Sequence, residues 1–247
     1  MCGRFVSASP PAEIARYFAV SEVAEQVLEP NFNVAPTADV FVVFEDGGVR
    51  RLDAFHWGLV PRWAKDPSIG NRMINARAEG LAEKNAFKWP YRKRRCIVPA
   101  DGFYEWRKVP GQKTKQPYYV HRPDGEPLPL AGLWEEWRGP DREGDQRLRS
   151  VTIVTTDANE AMALIHDRMP VVLPPNAWDR WLDRADEDLD SLGKLLVPAP
   201  PSLLRIDGVG TEVNDSRSTG AHLIEPAEPE QPGAEASSSV GTQGTLL

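Results

Sequence analysis

The second residue of the chain is a cysteine, in the segment Met1-Cys2-Gly3-Arg4-Phe5. Once Met1 is removed, Cys2 carries an α-amine and a thiol on adjacent carbons, with reference pKa values of about 7.7 to 8.0 and about 8.5. An aldehyde can condense with the amine to an imine, and the thiol can then add to the same carbon to close a thiazolidine. The terminus therefore offers aldehyde capture, whereas a lone cysteine is more often a small buried residue.

Asn75 and Arg77 are a second pair of chemically capable residues. They stand two positions apart, so an extended segment places both side chains on one side. The amide can orient an amine or a thiol by hydrogen bonding, and the planar guanidinium suits a phosphate. An ordinary turn is the alternative interpretation of this segment.

Glu105 and His166 are the candidate proton carriers. Glu105 lies between Tyr104 and Trp106, where desolvation would raise the pKa of its carboxyl toward neutrality. His166 stands among polar and charged residues after a predicted helix, and histidine titrates near neutral pH. Together with Cys2 and Asn75 they would equally suit a cysteine peptidase, and the sequence does not establish that the four meet.

Basic and aromatic residues are concentrated between Trp57 and Arg95. This stretch holds ten lysines and arginines against three carboxylates, although the whole chain has a formal net charge of -7. Cations that bind phosphates and aromatic rings that stack on bases are what single-stranded nucleic acid requires. The aromatic residues of the stretch are Trp57, Trp63, Phe87, Trp89 and Tyr91.

The overall composition favours a cytoplasmic protein with a substantial core. The chain has 247 residues, 41% of them hydrophobic, and no run approaches the roughly 20 apolar residues that span a bilayer. Its two cysteines, Cys2 and Cys96, provide no disulfide framework, and the four histidines have no metal-ligand spacing with them. We expect reduced thiols, no metal and no cofactor.

Strand patterns dominate the middle of the chain, which predicts an α+β fold. The antiparallel sheets are expected to curl into a distorted, barrel-like core with flanking helices, because the helical crossovers of a parallel sheet are missing. Strands are predicted over residues 40–44, 51–57, 96–106, 118–121, 128–134 and 150–155, and helices over 10–18, 158–165 and 176–184.

The chain is predicted to form one domain, residues 1–225, that acts as a monomer. Beyond His222 it carries four glutamates and no basic residue and is rich in Pro, Ser and Gly. Such a composition cannot bury enough apolar surface to fold. Residues 226–247 are therefore expected to be a disordered acidic tail.

Eight blocks follow one another in one order over roughly residues 2 to 225. They are Met1 to Phe5, Asn33 to Thr37, Trp57 to Trp63, Ile74 to Glu79, Arg95 to Trp106, Ala131 to Trp134, Thr155-Thr156 with Asn159, and Ile165 to Pro170. Together they resemble the SRAP family of abasic-site-processing proteins, also called SOS response-associated peptidases. The sequence departs from the family pattern at Gly80, where a small hydroxyl residue is expected, in the loop Arg138 to Arg149, and in Val213 to Arg217.

The resemblance implies a protein that binds single-stranded DNA and captures the aldehyde of an abasic site as a thiazolidine crosslink that shields the lesion. It also implies a role for each candidate residue: Cys2 as nucleophile, Asn75 orienting it, Arg77 holding the phosphate, Glu105 assisting sugar ring opening and His166 shuttling protons. Arg4, Trp63 and Trp106 are further candidates for DNA contact. Weak lyase activity at abasic sites is a related expectation, since an imine at C1′ acidifies C2′.

Two other functions remain open at this point. A cysteine peptidase or N-terminal-nucleophile hydrolase would use Cys2 and His166 on a peptide carbonyl, and release of Met1 could be its only reaction. A non-covalent single-strand-binding module would need the cations and aromatic rings but not Cys2.

Overall fold

The computed structural model describes residues 2–111, 113–139 and 147–227. These residues form two β-sheets with a few short helices at their margins. The strands are β1 (Phe5–Ser7), β2 (Glu22–Val23), β3 (Asn31–Val34), β4 (Asp39–Asp46), β5 (Val49–Trp57), β6 (Asn75–Arg77), β7 (Arg95–Ala100), β8 (Gly102–Arg107), β9 (Gln116–His121), β10 (Leu128–Trp137), β11 (Leu148–Asp157), β12 (Arg168–Pro170) and β13 (Arg205–Gly208). The α-helices are α1 (Pro11–Tyr17), α2 (Lys88–Lys93), α3 (Trp178–Leu182) and α4 (Leu189–Gly193).

The larger sheet is ring-like. Its strand order is β12-β11-β10-β7-β4-β5-β2, and β11 also pairs with β5 and β6. The pairs of β11 with β5 and β6, and of β2 with β5, are parallel, whereas the other pairs of this sheet are antiparallel. The predicted α+β class and curled sheet are confirmed, with these parallel pairs as the difference.

The smaller sheet carries the N-terminal strand and packs on the larger one. Its order is β13-β9-β8-β1-β3. Phe5 of β1 contacts Trp57 at the end of β5, with ring centroids 4.9 Å apart. Phe5, Trp57 and both cysteines belong to one buried apolar cluster, so the N-terminal segment is fixed by the core of the domain.

The predicted strand 96–106 is two strands in two different sheets. β7 ends at Ala100 in the larger sheet and β8 begins at Gly102 in the smaller one. Asp101 lies between them, and its carboxylate accepts a hydrogen bond from the amide of Ser9 at 3.0 Å. A continuous apolar pattern does not reveal such a crossing, because both strands are buried.

The predicted helix 158–165 is wrong apart from one 3₁₀ turn at Met162–Leu164. The side chain of Asn159 accepts from the amide of Met162 at 2.9 Å and donates to the carbonyl of Ala199 at 2.8 Å. An asparagine that bonds the nearby backbone in this way competes with a regular helix. The predicted helix 176–184 is shorter than expected, with α3 following a 3₁₀ turn at Pro175–Ala177.

The ordered chain continues to the end of the described residues. An isolated bridge joins Val209 to Pro226, and the amide of Ala227 donates to the carbonyl of Gly208 at 2.9 Å. The rest of the predicted tail, residues 228–247, lies outside the described residues. Within the described ranges, no helix is long and apolar enough to cross a membrane.

Candidate active site and nucleic-acid interface

The N-terminal segment runs antiparallel to β8, and this pairing brings the first candidate residues together. Phe5 pairs with Phe103, and the amide of Tyr104 donates to the carbonyl of Arg4 at 2.9 Å. Continuing the same register places Gly3 opposite Glu105. Cys2 therefore lies beside Glu105, a carboxyl that is only 3% exposed.

Asn75 contacts Cys2 directly. Its Nδ2 donates a hydrogen bond to the carbonyl oxygen of Cys2 at 2.8 Å. Its Oδ1 is buried and accepts no hydrogen bond from the described residues. Asn75 thus holds the backbone of Cys2, and its buried Oδ1 is available to accept a hydrogen bond from a ligand.

The thiol of Cys2 is strongly disfavoured as a thiolate. Burial is the largest cause of its raised pKa, and the nearby Glu105 carboxylate raises the pKa further. The thiol also faces the carbonyl of Arg4, with a sulfur–oxygen distance of 3.9 Å. At neutral pH, Cys2 is therefore a protonated thiol.

Arg77 lies on the same short strand as Asn75 and is exposed. β6 pairs with β11, and Arg77 stands opposite Thr155. Arg168 is close by: its guanidinium donates to the Thr155 carbonyl at 2.8 Å and binds both carboxylate oxygens of Glu79 at 2.6 and 3.0 Å. The hydrogen bonds from Arg168 lower the pKa of Glu79. Two arginines, one of them fixed by ion pairs, thus lie at the same edge of the sheet.

His166 lies just before β12, on the segment that carries Arg168. Its Nδ1 accepts from the amide of Arg168 at 3.0 Å and lies 2.8 Å from the carboxylate of Asp167. The amide of His166 donates to the carbonyl of Met162 at 2.9 Å. The 3₁₀ turn that replaces the predicted helix therefore fixes the histidine at the end of β11 where Arg77 also lies.

Arg4 and Trp106 form a partly buried cluster beside Cys2. Arg4 donates to Asn33 Oδ1 at 2.7 Å and to the carbonyl of Val213 at 3.1 Å, and its guanidinium lies 5.9 Å from the centre of the Trp106 ring. The indole of Trp106 donates to Asn214 Oδ1 at 2.6 Å. Both predicted DNA contacts thus already anchor the segment 213–214, and Trp106 is half-buried rather than fully in the core.

Trp63 lies apart from the other candidates, on an open basic surface. It is 51% exposed, and its side chain forms part of the wall of three shallow hollows. The loop that carries Trp63 packs closely against residues 70–73. The approach is so close that a Cβ on Gly58 (φ +140°) would lie 2.7 Å from the carbonyl oxygen of Gly70. Only glycine allows that approach.

The structure therefore divides the predicted residues into two groups. Cys2 is joined to Asn75 and Glu105, and Arg77 and His166 lie at the adjoining edge of β11, whereas Trp63 lies elsewhere. Sequence reasoning did not assign Arg168, although it stands in the quoted block Ile165 to Pro170. An arginine two residues after the candidate histidine was the available signal. Within the described ranges, no group of three or more His, Cys, Asp or Glu could hold a metal ion.

Comparison with known proteins identifies the family. The sequence matches the family "SOS response associated peptidase (SRAP)" over residues 1–216. The chain belongs to the SRAP family. It is 41% identical over 226 residues to the abasic site processing protein YoqW of Bacillus subtilis, covering 91% of this chain and 99% of the relative. It is 31% identical over 269 residues to the abasic site processing protein HMCES of Gallus gallus, covering 92% and 78%.

Solved structures agree on the fold. A protein from Bacteroides thetaiotaomicron superposes with a TM-score of 0.82 at 23% identity, covering 92% of this chain and all of that one. A phage-related protein from Bordetella bronchiseptica superposes with a TM-score of 0.67 at 28% identity, covering 88% and 99%. The fold of this chain is thus shared with both solved structures.

Proposed function

We propose that this chain, after removal of Met1, captures the aldehyde of an abasic site in single-stranded DNA as a covalent thiazolidine on Cys2. The observation that carries the proposal is the placement of Cys2, with its carbonyl held by Asn75 at 2.8 Å and its thiol beside the buried carboxylate of Glu105. The names of the relatives, which process abasic sites, point to the same lesion.

The chemistry begins at the amine. The ring-opened abasic sugar presents an aldehyde at C1′, and the amine of Cys2 adds to it to give a carbinolamine. Loss of one water gives the imine, and the sulfur of Cys2 then adds to the imine carbon while the thiol proton passes to nitrogen through a nearby base. The product is a thiazolidine, with one water released and no oxidant or reductant needed.

The surrounding residues have distinct parts in this sequence. Arg77 is exposed beside the site and suits the phosphate at the lesion, whereas Arg168 is buried and paired with Glu79 and Asp157. Glu105 transfers a proton during sugar ring opening, and His166 does so during imine formation. The free Oδ1 of Asn75 is a suitable acceptor for a hydrogen of the amine or the carbinolamine.

The raised pKa of the Cys2 thiol argues against a peptidase as the main activity. Cysteine peptidases need a thiolate, and their surroundings lower the thiol pKa. Burial and Glu105 act in the opposite direction here. Capture of an aldehyde begins at the amine and does not require a resting thiolate.

The test uses matched single-stranded oligonucleotides with one abasic aldehyde, one tetrahydrofuran analogue that has no aldehyde, or an intact base. Each is incubated with the processed protein and run on a denaturing gel, and a peptide substrate is assayed in parallel. We expect a heat-stable adduct only with the aldehyde, formed by the monomer, and slow strand cleavage by β-elimination as a minor side reaction.

Each alternative function gives a different result. Salt-sensitive binding to all three oligonucleotides without an adduct would indicate a non-covalent binding module. Peptide cleavage without an adduct would indicate a hydrolase. Either outcome would overturn the proposed capture reaction.

A further inference from the structure

A hollow on the far side of Trp63 combines the features of a base-binding site. We name it the Trp89 hollow; it has a volume of about 380 Å³. Trp89, on α2, is 38% exposed, and the guanidinium of Arg62 lies 4.6 Å from the centre of its ring. The lining residues are Arg62, Trp63, Asn85, Lys88, Trp89 and Glu135.

The charge of the Trp89 hollow is positive. Arg62 and Lys88 are exposed. Neither forms a salt bridge within the part of the chain that the structure describes, although the positive charge of Arg62 acts to lower the pKa of the Glu135 carboxyl. The one carboxylate in the lining, Glu135, is buried and bonded to Arg94, whose guanidinium lies 4.7 Å from the centre of the Trp134 ring. The two exposed indoles and two unpaired cations are therefore the groups that an incoming ligand meets.

The hollow lies at the opposite end of β11 from the reactive site. The indole of Trp137 donates to the carbonyl of Ala64, next to Trp63, at 2.8 Å, and Trp137 pairs with Leu148 at the start of β11. Arg77 pairs with Thr155 near the end of the same strand. At a rise of 3.3 Å per residue, these two positions on β11 are roughly 23 Å apart.

Another hollow adjoins Trp63. It is lined by Trp63, Lys65 and Arg72 among others, and Arg72 precedes Asn75 by only three residues. Lys65 and Arg72 thus supply two cations, beside the carboxylate of Asp66, along the segment that joins Trp63 to Asn75. At the 3.4 Å spacing of stacked nucleotides, roughly 23 Å corresponds to about seven nucleotides.

We propose that the Trp89 hollow is a stacking subsite for an unpaired base of the DNA that flanks the lesion, several nucleotides from the crosslinked sugar. Trp89 supplies the aromatic face, Arg62 stacks on Trp89 and binds a phosphate, and Lys88 binds the next phosphate. The proposal rests on the proposed function for the identity of the DNA, and it adds a second contact that only longer strands reach.

The test compares wild type and Trp89→Ala with single-stranded DNA carrying a tetrahydrofuran analogue, which binds without reacting. One set has flanks of about two nucleotides and the other has flanks of about ten, extended on either side in turn. We expect Trp89→Ala to weaken binding about 5- to 150-fold for the long flank on one side, the range for losing one base–aromatic stack, and less than about twofold for short DNA. Trp89→Phe should restore most of the loss, which separates stacking from misfolding.

A charge control uses the salt dependence of binding to the long DNA. Lys88→Gln should lower the slope of log K against log salt by about 0.7, the value for one phosphate contact on a single strand. Arg16→Gln, which removes an exposed cation from α1, should leave the slope unchanged. Equal losses for short and long DNA, or no loss at any length, would overturn the subsite.

The same preparations separate the two proposals. Adduct formation by wild type with the short aldehyde-containing DNA reports the proposed function alone. If no adduct forms but the Trp89→Ala loss depends on flank length, the capture reaction fails and the DNA-binding subsite stands. If the adduct forms and no length dependence appears, only the subsite fails.

Discussion

The surroundings of the two cysteines differ in a way that explains why one of them suits covalent chemistry. Cys2 and Cys96 are both fully buried in the same apolar cluster, and burial raises the pKa of both thiols. Around Cys96 the neighbours are packing groups: Gly132 stands opposite it, and a Cβ there would lie 2.9 Å from the sulfur. Around Cys2 a polar amide and a carboxylate complete the site.

Burial and thiol pKa therefore do not distinguish Cys2, the cysteine proposed to react, from Cys96. What distinguishes Cys2 is that removing Met1 gives it an amine, and that Asn75 and Glu105 lie within reach of it. Cys96 has no adjacent amine. Burial raises the pKa of its thiol, and no carboxylate contributes to that rise.

Replacing each cysteine by alanine in turn gives the largest expected difference in adduct yield. We expect Cys2→Ala to abolish the heat-stable adduct with abasic single-stranded DNA, because a thiazolidine cannot close without the sulfur. Cys96→Ala should retain the yield of wild type at a temperature where it is folded. Denaturing gels measure both, and loss of the adduct in Cys96→Ala alone would reverse the assignment.

Glu105→Gln removes the carboxylate beside Cys2 and keeps its shape. We expect the rate of adduct formation to fall about 10²- to 10⁴-fold, the usual contribution of a positioned acid or base. Single-turnover kinetics with saturating DNA give the rate, and the melting temperature reports the fold. A rate within twofold of wild type would remove Glu105 from the chemistry.

Asn75→Ala removes the hydrogen bond to the Cys2 carbonyl. We expect a smaller loss of rate, about 10- to 100-fold, because the reactive groups remain and only their orientation suffers. DNA affinity should change little, since Arg77 and the basic surface are intact. A large fall in affinity with an unchanged rate at saturation would make Asn75 a binding residue instead.

The smallest expected effect is a loss of folding stability at alkaline pH, to which both thiols contribute. Their folded pKa values lie above the ordinary value of 9.0, so the unfolded chain loses these protons first and stability falls as pH rises above about 9. Cys96→Ala should reduce the slope of the unfolding free energy against pH by about 1.4 kcal/mol per pH unit. Urea unfolding between pH 8 and about 11 measures it, and identical slopes would contradict the buried thiol.

Local sequence patterns predicted much of the fold. The strands predicted over residues 40–44 and 51–57 are confirmed as β4 and β5, which pair antiparallel from Asp39 with His56 to Asp46 with Val49. The same-side placement of Asn75 and Arg77 follows from strand periodicity and is confirmed by β6. Such features depend on neighbouring residues alone.

The features that the sequence did not reveal depend on contacts between distant segments. The break at Asp101 is fixed by an amide of the N-terminal segment, and the short turn before His166 by the side chain of Asn159. The side chain of Arg168 is held by a hydrogen bond to Glu79, which is 89 positions away. No pattern of neighbouring residues contains that information.

The most direct test of the central claim is the intact mass of the adduct, followed by mapping of the modified peptide. Processed protein and an oligonucleotide with one abasic aldehyde should give the sum of the two masses less one water, with the modification on Cys2 and no need for a reducing agent. An adduct that survives only after reduction, or that maps to a lysine or to Cys96, would contradict thiazolidine formation at the N-terminus.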